Sequence, residues 1–226
     1  MALILFDFDG VLADTLDDML NFARAVCMEL GIDRVPTPAD LDALETMSFV
    51  EYGKQLGVPP ALANEFARRC LMRFVERSHP PKIFDGMVQV IEQLSVYHTL
   101  AIVTGNTTRT VEDFLVENGI RQYISVIFAV DQPGSKEEKI LKAKIQLATY
   151  KEAVYFIGDA ISDIHAARQV SVESVAVSWG HQSLSKLVKA EPDHIVSSPR
   201  EIIAFFRKSG VKPHTSDTIA TEKGRE

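Results

Sequence analysis

One segment near the N-terminus restricts the fold more than any other. Residues 2–8, Ala-Leu-Ile-Leu-Phe-Asp-Phe, form a near-continuous apolar run broken only at Asp7, with Asp9 and Gly10 just beyond it. A run of this length without polar alternation reads as a strand buried on both faces, the central position of a parallel sheet. Side chains alternate along a strand, so Asp7 and Asp9 point to one side while Phe6 and Phe8 point to the other. Both acids lie at the carboxyl end, where open α/β sheets hold their ligands. Gly10 permits a sharp turn and a close approach of backbone to ligand. Two neighbouring carboxylates repel, more so when buried, so the pair needs a cation or one of the two must hold a proton.

The remainder of the chain supplies the layers around such a strand. Residues 16–33 carry Leu16, Met19, Leu20, Ala23, Val26, Cys27 and Leu30 at helical steps, with Gly31 as a stop. Pro36 and Pro38 punctuate, and two more amphipathic segments follow near 38–56 and 60–78, before Pro80-Pro81. The stretch 15–83 therefore reads as mostly helical, with no good strand. Beyond it, helices are expected at 86–96, 107–118, 136–150, 160–170, 183–189 and 199–208. Strands are expected at 98–104, 124–130, 153–158, 174–178 and 194–197. This alternation implies right-handed crossovers and a parallel sheet covered on both faces. The expected fold is α/β: a three-layer Rossmann-like core with a parallel sheet, built from residues 1–14 and 84–209, carrying an inserted all-helical domain at 15–83. From residue 210 onward the chain is polar, and a disordered tail is expected.

Composition limits the function classes. A chain of 226 residues, 46% hydrophobic and 24% charged, is a soluble globular protein of one domain with room for an insertion. No apolar stretch approaches the roughly 18 residues of a membrane span. The apolar N-terminus has no basic flank, which argues against a signal peptide. A net charge of −7 disfavours nucleic acid as a partner. It still allows a small anionic substrate, because a metal ion can invert the sign locally. Cys27 and Cys70 read as free thiols of a reducing compartment, the cytoplasm. No Cys/His cluster has zinc spacing. The sequence does not choose between monomer and homodimer.

Three further motifs fall at the carboxyl ends of expected core strands. Thr104-Gly105-Asn106 precedes a helix, and free amides beside a hydroxyl there make an anion site. Gly158-Asp159-Ala-Ile-Ser-Asp163 follows a strand, and its two acids can converge across one helical turn. Gly134-Ser135-Lys136-Glu137-Glu138-Lys139 offers a lysine to the same edge, Lys136 in preference to Lys139, as a point charge for phosphate. Each motif alone also has an ordinary reading, as a turn, an N-cap or a solvated helix start. Together they converge on one sheet edge with a coherent charge inventory. Asp7, Asp159 and Asp163 suit Mg2+, which takes oxygen ligands. Thr104, the amides of Gly105 and Asn106, and Lys136 suit a phosphate, and Asp9 is left to carry a proton.

In this order, the residues resemble the haloacid dehalogenase superfamily. Asp7-Phe-Asp9-Gly-Val-Leu-Ala-Asp14-Thr15 looks like its first motif, and Thr104, Lys136 and Gly158-Asp159-x-x-x-Asp163 look like the other three, over about residues 2–205. The helical insertion resembles the small cap of the phosphoglycolate phosphatase-like branch. Phe84-Asp85-Gly86-Met87, Ala101-Ile-Val-Thr-Gly-Asn106 and Val177-Ser-Trp-Gly180 have the flavour of that branch. The resemblance implies a magnesium-dependent phosphatase for a small soluble phosphomonoester. Asp7 would be the nucleophile that forms an aspartyl-phosphate, and Asp9 the general acid and base. The Asp9 carbonyl would join Asp7, Asp159 and Asp163 at the metal. A carboxylate at Asp9 argues for phosphoryl transfer, since the dehalogenase branch lacks one there. Two alternatives share parts of this chemistry: a sugar-phosphate mutase and a non-enzymatic receiver-like phospho-acceptor. The sequence departs from the family pattern at Lys136-Glu-Glu-Lys139, which lacks the usual prolines, at Asp85-Gly86, and at Gln169-Val170-Ser171.

Several other residues read as structural. His165 is expected on a helix surface, and His79, His98 and His181 have no evident partners in sequence. Trp179-Gly180 reads as packing plus a turn. Arg68, Arg69, Arg73 and Arg77 read as a solvated helix face, with a basic lip for an acidic substrate as the sharper alternative.

Overall fold

The computed structural model describes residues 1–77, 79–149 and 152–208. The segment from 210 onward, expected to be disordered, lies outside them. The apolar run forms β1 (Ala2–Phe6), all five residues buried. After a tight turn and β2 (Ala13–Asp14), the chain passes through α1 (Leu16–Glu29), α2 (Pro38–Asp42), α3 (Phe49–Gln55) and α4 (Ala63–Glu76). It returns along β3 (Lys82–Ile83) and α5 (Met87–Ser95). Strand and helix then alternate through β4 (Thr99–Val103), α6 (Thr108–Glu117), β5 (Val126–Phe128) and α7 (Lys136–Leu147). The series ends with β6 (Ala153–Gly158), α8 (Ile161–Gln169), β7 (Glu173–Val177), α9 (Leu184–Lys189), β8 (His194–Val196) and α10 (Pro199–Lys208).

The main sheet has the order β5-β4-β1-β6-β7-β8, with every pairing parallel. β1 is central, as its composition requires. Ile4, Phe6 and Phe8 pack on one face among Val90, Phe114, Ile202 and Phe206. Leu3 and Leu5 pack on the other face with Ile140, Ala143, Ala166 and Ala167. β4 and β5 lie on one side of β1 and β6, β7 and β8 on the other, so the carboxyl ends of β4, β1 and β6 border one crevice where strand order reverses.

Residues of the helical insertion have an apolar cluster of their own, built on Val26, Cys27, Leu41, Tyr52, Phe66 and Phe74. Both cysteines are free and buried there. The structure corrects two expectations within the insertion. The amphipathic stretch 38–56 is not one segment but two short helices. Each has its own N-cap: Asp40 accepts from the Thr37 N–H and hydroxyl, at 2.8 and 2.7 Å, and the Ser48 hydroxyl accepts from the Glu51 N–H at 3.2 Å. A second cap within a periodic run starts a new helix. The stretch 15–83 also holds a strand, since β3 pairs antiparallel with β2 and brings the two ends of the insertion together. Among the described residues no helix is long and apolar enough to cross a membrane.

Candidate active site

β1 continues past its last ladder residue, with the Asp7 N–H donating to the Ile157 carbonyl at 2.8 Å. The chain then folds back sharply. The Phe8 carbonyl accepts from the N–H groups of Leu12 and Ala13, both at 3.0 Å, and the Gly10 N–H donates to the Ala13 carbonyl at 2.9 Å. Gly10 has φ +74°, and a Cβ there would fall 2.0 Å from the Asp159 Oδ2. The turn thus needs glycine twice over, for its left-handed backbone and for the acid pressed against it. A Cβ at Gly158 would overlap Asp163, and one at Gly180 would overlap Asp159. Glycines make the cradle in which the acids sit.

The acids from separate motifs meet around one ammonium. Lys136, the first residue of α7, places its Nζ 2.8 Å from the Asp7 Oδ2 and 2.6 Å from the Asp163 Oδ1. The other Asp163 oxygen accepts from the Asp159 and Ala160 N–H groups at 3.2 and 3.1 Å. Burial pushes the Asp7 carboxyl well above its ordinary value; Lys136 opposes this, and the nearby Asp163 and Asp159 charges add to it. Asp163 is raised by the same burial, against Lys136. Burial also works against the charge on Lys136, but Asp163 and Asp7 outweigh it and hold the ammonium above its ordinary range. Lys139 is buried on the same helix, with Asp131 as its electrostatic neighbour.

Asp9 and Asp159 are held by other residues. Asn106 donates from Nδ2 to both Asp9 oxygens, at 3.3 and 3.1 Å, and accepts at Oδ1 from the Thr107 N–H. Its own backbone N–H donates to the Thr104 hydroxyl at 2.9 Å. Asn106 therefore engages Asp9 and Thr104, where the sequence suggests an amide free for an anion. Burial raises the Asp9 carboxyl against the opposing influence of His181 and Asn106. His181 has no evident partner in sequence, yet it is buried against Asp159. Its backbone N–H and its Nδ1 reach the Asp159 Oδ2 at 2.7 and 2.9 Å, and its Nε2 lies 3.3 Å from the Thr15 hydroxyl. Burial would raise Asp159, but His181 outweighs it and holds the carboxyl below its usual value. The signal that could find His181 is position: it follows the carboxyl end of β7, at the same sheet edge. Of the residues that read as structural, His165 is exposed, and Trp179 packs against Phe84 and donates to the Val11 carbonyl.

The donor set suits a hard divalent cation. Asp7, Asp159 and Asp163 are buried, each with a carboxylate oxygen within 4.8 Å of the others; Lys136 lies between Asp7 and Asp163, and His181 against Asp159. Such an oxygen-only, anionic cluster matches the preference of Mg2+. The residues between α2 and α3 roof the site. The Met47 N–H donates to the Ser162 hydroxyl, and Gln182 bridges the Ile161 N–H at 2.8 Å and the Leu44 carbonyl at 2.7 Å.

Comparison with known proteins identifies the family. The model of the haloacid dehalogenase-like hydrolases matches residues 4–177. A phosphoglycolate phosphatase of Synechococcus elongatus is 29% identical over 204 residues, covering 90% of this chain and 96% of that protein. A pyrophosphatase PpaX of Listeria innocua is 26% identical over 211 residues, 90% and 95% of the two chains. A solved haloacid dehalogenase-like family hydrolase from Streptococcus pneumoniae superposes with a TM-score of 0.79 at 22% identity, over 91% of this chain and 98% of that one. With its acids, lysine and strand order in the arrangement described, the chain belongs to the haloacid dehalogenase-like hydrolases, among the phosphatases of the phosphoglycolate phosphatase-like branch.

Proposed function

We propose that this hydrolase is a magnesium-dependent phosphatase that cleaves a small phosphomonoester by way of an aspartyl-phosphate on Asp7. The observation that carries the reading is the Asp7–Lys136–Asp163 cluster with Asp159 beside it. Magnesium held by Asp7, Asp159, Asp163 and the Asp9 carbonyl would supply a positive charge for the phosphoryl oxygens.

The chain's own groups do the rest. An Asp7 carboxylate oxygen attacks phosphorus, the bond from phosphorus to the alcohol oxygen breaks, and the aspartyl-phosphate forms. Asp9, raised by burial, holds the proton that the departing alkoxide takes. The Asp9 carboxylate then accepts a proton from a water as that water attacks phosphorus, which frees Asp7 and releases inorganic phosphate. Asn106 keeps Asp9 aimed. Lys136, the Thr104 hydroxyl and the Gly105 N–H bind the phosphoryl oxygens, where positioned charge contributes most to rate. Residues 15–83 act as a cap that shields the reaction from bulk water, over a core of residues 1–14 and 84–209.

A phosphate-release screen over small phosphomonoesters tests the reading, with magnesium and with chelator. Turnover is expected with magnesium and not with chelator. Asp7→Asn and Asp9→Asn should each lose at least about a hundredfold. Unimpaired hydrolysis by Asp7→Asn would remove the covalent route. Release without a bisphosphate activator separates the phosphatase from a mutase.

A further inference from the structure

We infer that the ester hydrolysed here carries an uncharged, largely apolar alcohol, unlike the carboxylate or second phosphate named in its relatives; this rests on the phosphatase reading above. A cavity of about 220 Å³ opens directly from Asp7, Asp9 and Lys136. Its far wall comes from the helical insertion and is lined by Met19, Met47, Phe49, Leu71 and Phe74, with Val130 at the core side. Among the described residues, the only polar side chain that the insertion adds is Ser48, whose hydroxyl oxygen accepts from the Glu51 N–H as the cap of α3 and which carries no charge to match a carboxylate or a second phosphate. An apolar cavity of about 150 Å³ accepts a benzene ring, so there is room for a ring or a short branched chain.

Among the described residues, no arginine or lysine of the insertion lines this cavity. The basic residues of α4 are occupied elsewhere. Arg68 and Arg69 pair with Glu65, at 2.8 and 2.7 Å, and Arg69 and Arg73 both reach Glu29. Arg77, just past α4, pairs through Nη1 with Asp18 at 2.7 Å and stacks on the Phe74 ring; its Nη2 is buried with no hydrogen-bond partner among the described residues, but the residue borders a different groove, beside Thr110 and Glu112. His181 reaches the cavity from the core, but its Nδ1 is already paired with Asp159. Lys136 is therefore the lysine that serves the cavity, and it lies at the phosphoryl end. A carboxylate or second phosphate on the leaving group would enter an apolar wall without a partner, and such burial is costly. A polyhydroxylated sugar would leave most of its hydroxyls unpaired there. An apolar group loses nothing and gains contact.

The test compares three esters whose leaving groups are all alkoxides: benzyl phosphate, glycerol phosphate and phosphoglycolate. Each is assayed with saturating magnesium on the full chain. Benzyl phosphate is expected to have the highest kcat/KM, by at least about tenfold. Leu71→Ala should lower kcat/KM for benzyl phosphate about tenfold and for glycerol phosphate by a clearly smaller factor. A higher kcat/KM for phosphoglycolate or glycerol phosphate in the unmodified protein overturns the inference while the phosphatase reading stands. If Arg77→Gln then removes a preference for phosphoglycolate, the anion partner is Arg77. Phosphate release no greater than that of Asp7→Asn for all three esters overturns both readings.

Discussion

Asp9 is half-buried and lines the cavity, and two contacts of Asn106 hold its carboxyl in place. A general acid contributes only when its proton is delivered along the right line, so orientation has a rate of its own. Asn106→Ala is expected to lower kcat by about tenfold to a hundredfold while KM changes little. In an Asp9→Asn background the same substitution should cost almost nothing, because the residue it positions is already gone. Equal losses in both backgrounds, measured by steady-state kinetics, would show that Asn106 acts on something other than Asp9. The division between Asn106 and its neighbours also shows what a sequence can disclose at this scale. Asp7, Thr104, Lys136 and Asp159 are legible because each follows a strand, and strand ends share an edge. His181 is not, because its partners Asp159 and Thr15 lie 22 and 166 residues away along the chain. Asn106 reads as an anion ligand because an N-terminal amide is free in principle. Its engagement by the Thr104 hydroxyl is a local turn that composition does not announce.

Among elements, α2 shows how one carboxylate starts a helix. Asp40 is buried, pairs with Arg34 at 2.5 Å, and takes the Thr37 N–H and hydroxyl on one oxygen. Burial alone would raise the Asp40 carboxyl, but the Thr37 bonds and the Arg34 guanidinium outweigh it and hold the group below its ordinary value. A depressed folded value means stability that is present above the unfolded value, about 3.9, and lost as pH falls through the folded one. Asp40→Asn is therefore expected to lower stability at pH 7 by about 1 kcal/mol, or roughly 2–4 °C in Tm. The gap between the two proteins should shrink below about pH 4. Thermal melts from pH 7 to pH 3 check this, and a gap that widens in acid would reverse the sign. The alternation of core strands and helices is readable because buried parallel strands are apolar and their helices are periodic. The break between α2 and α3 is not, because periodicity persists across both and only Ser48, as a cap, marks the second start. β2 and β3 have two residues each, too few for any pattern to register.

For the molecule as a whole, the insertion and the core are joined above the site by buried polar contacts. Gln182 is 2% exposed and satisfies two backbone groups, one from each side. Gln182→Ala would leave both unpaired, at a cost of about 2 kcal/mol. Faster hydrogen exchange across 42–48 than in the distant α10 would locate the loss at this joint. Charge acts on the whole molecule more strongly still. The chain carries a net −7, and of three buried carboxylates gathered at the site two share Lys136 while the third pairs with His181, so a divalent cation would find three anionic oxygens within reach of one another. A cation that binds the folded site and not the unfolded chain stabilises by mass action, about 2.7 kcal/mol at a hundred times its Kd. For a protein of this size that is roughly 5–10 °C in Tm. Magnesium at millimolar concentration is thus expected to raise the melting temperature over a chelator control. Sodium at matched ionic strength should not, since screening alone supplies no ligand. Asp163→Asn should reduce the magnesium shift to a small fraction, because one buried anionic oxygen is lost and the Lys136 charge remains. An undiminished shift in that variant would move the cation away from the Asp7–Asp159–Asp163 cluster, and with it the source of charge for phosphoryl transfer.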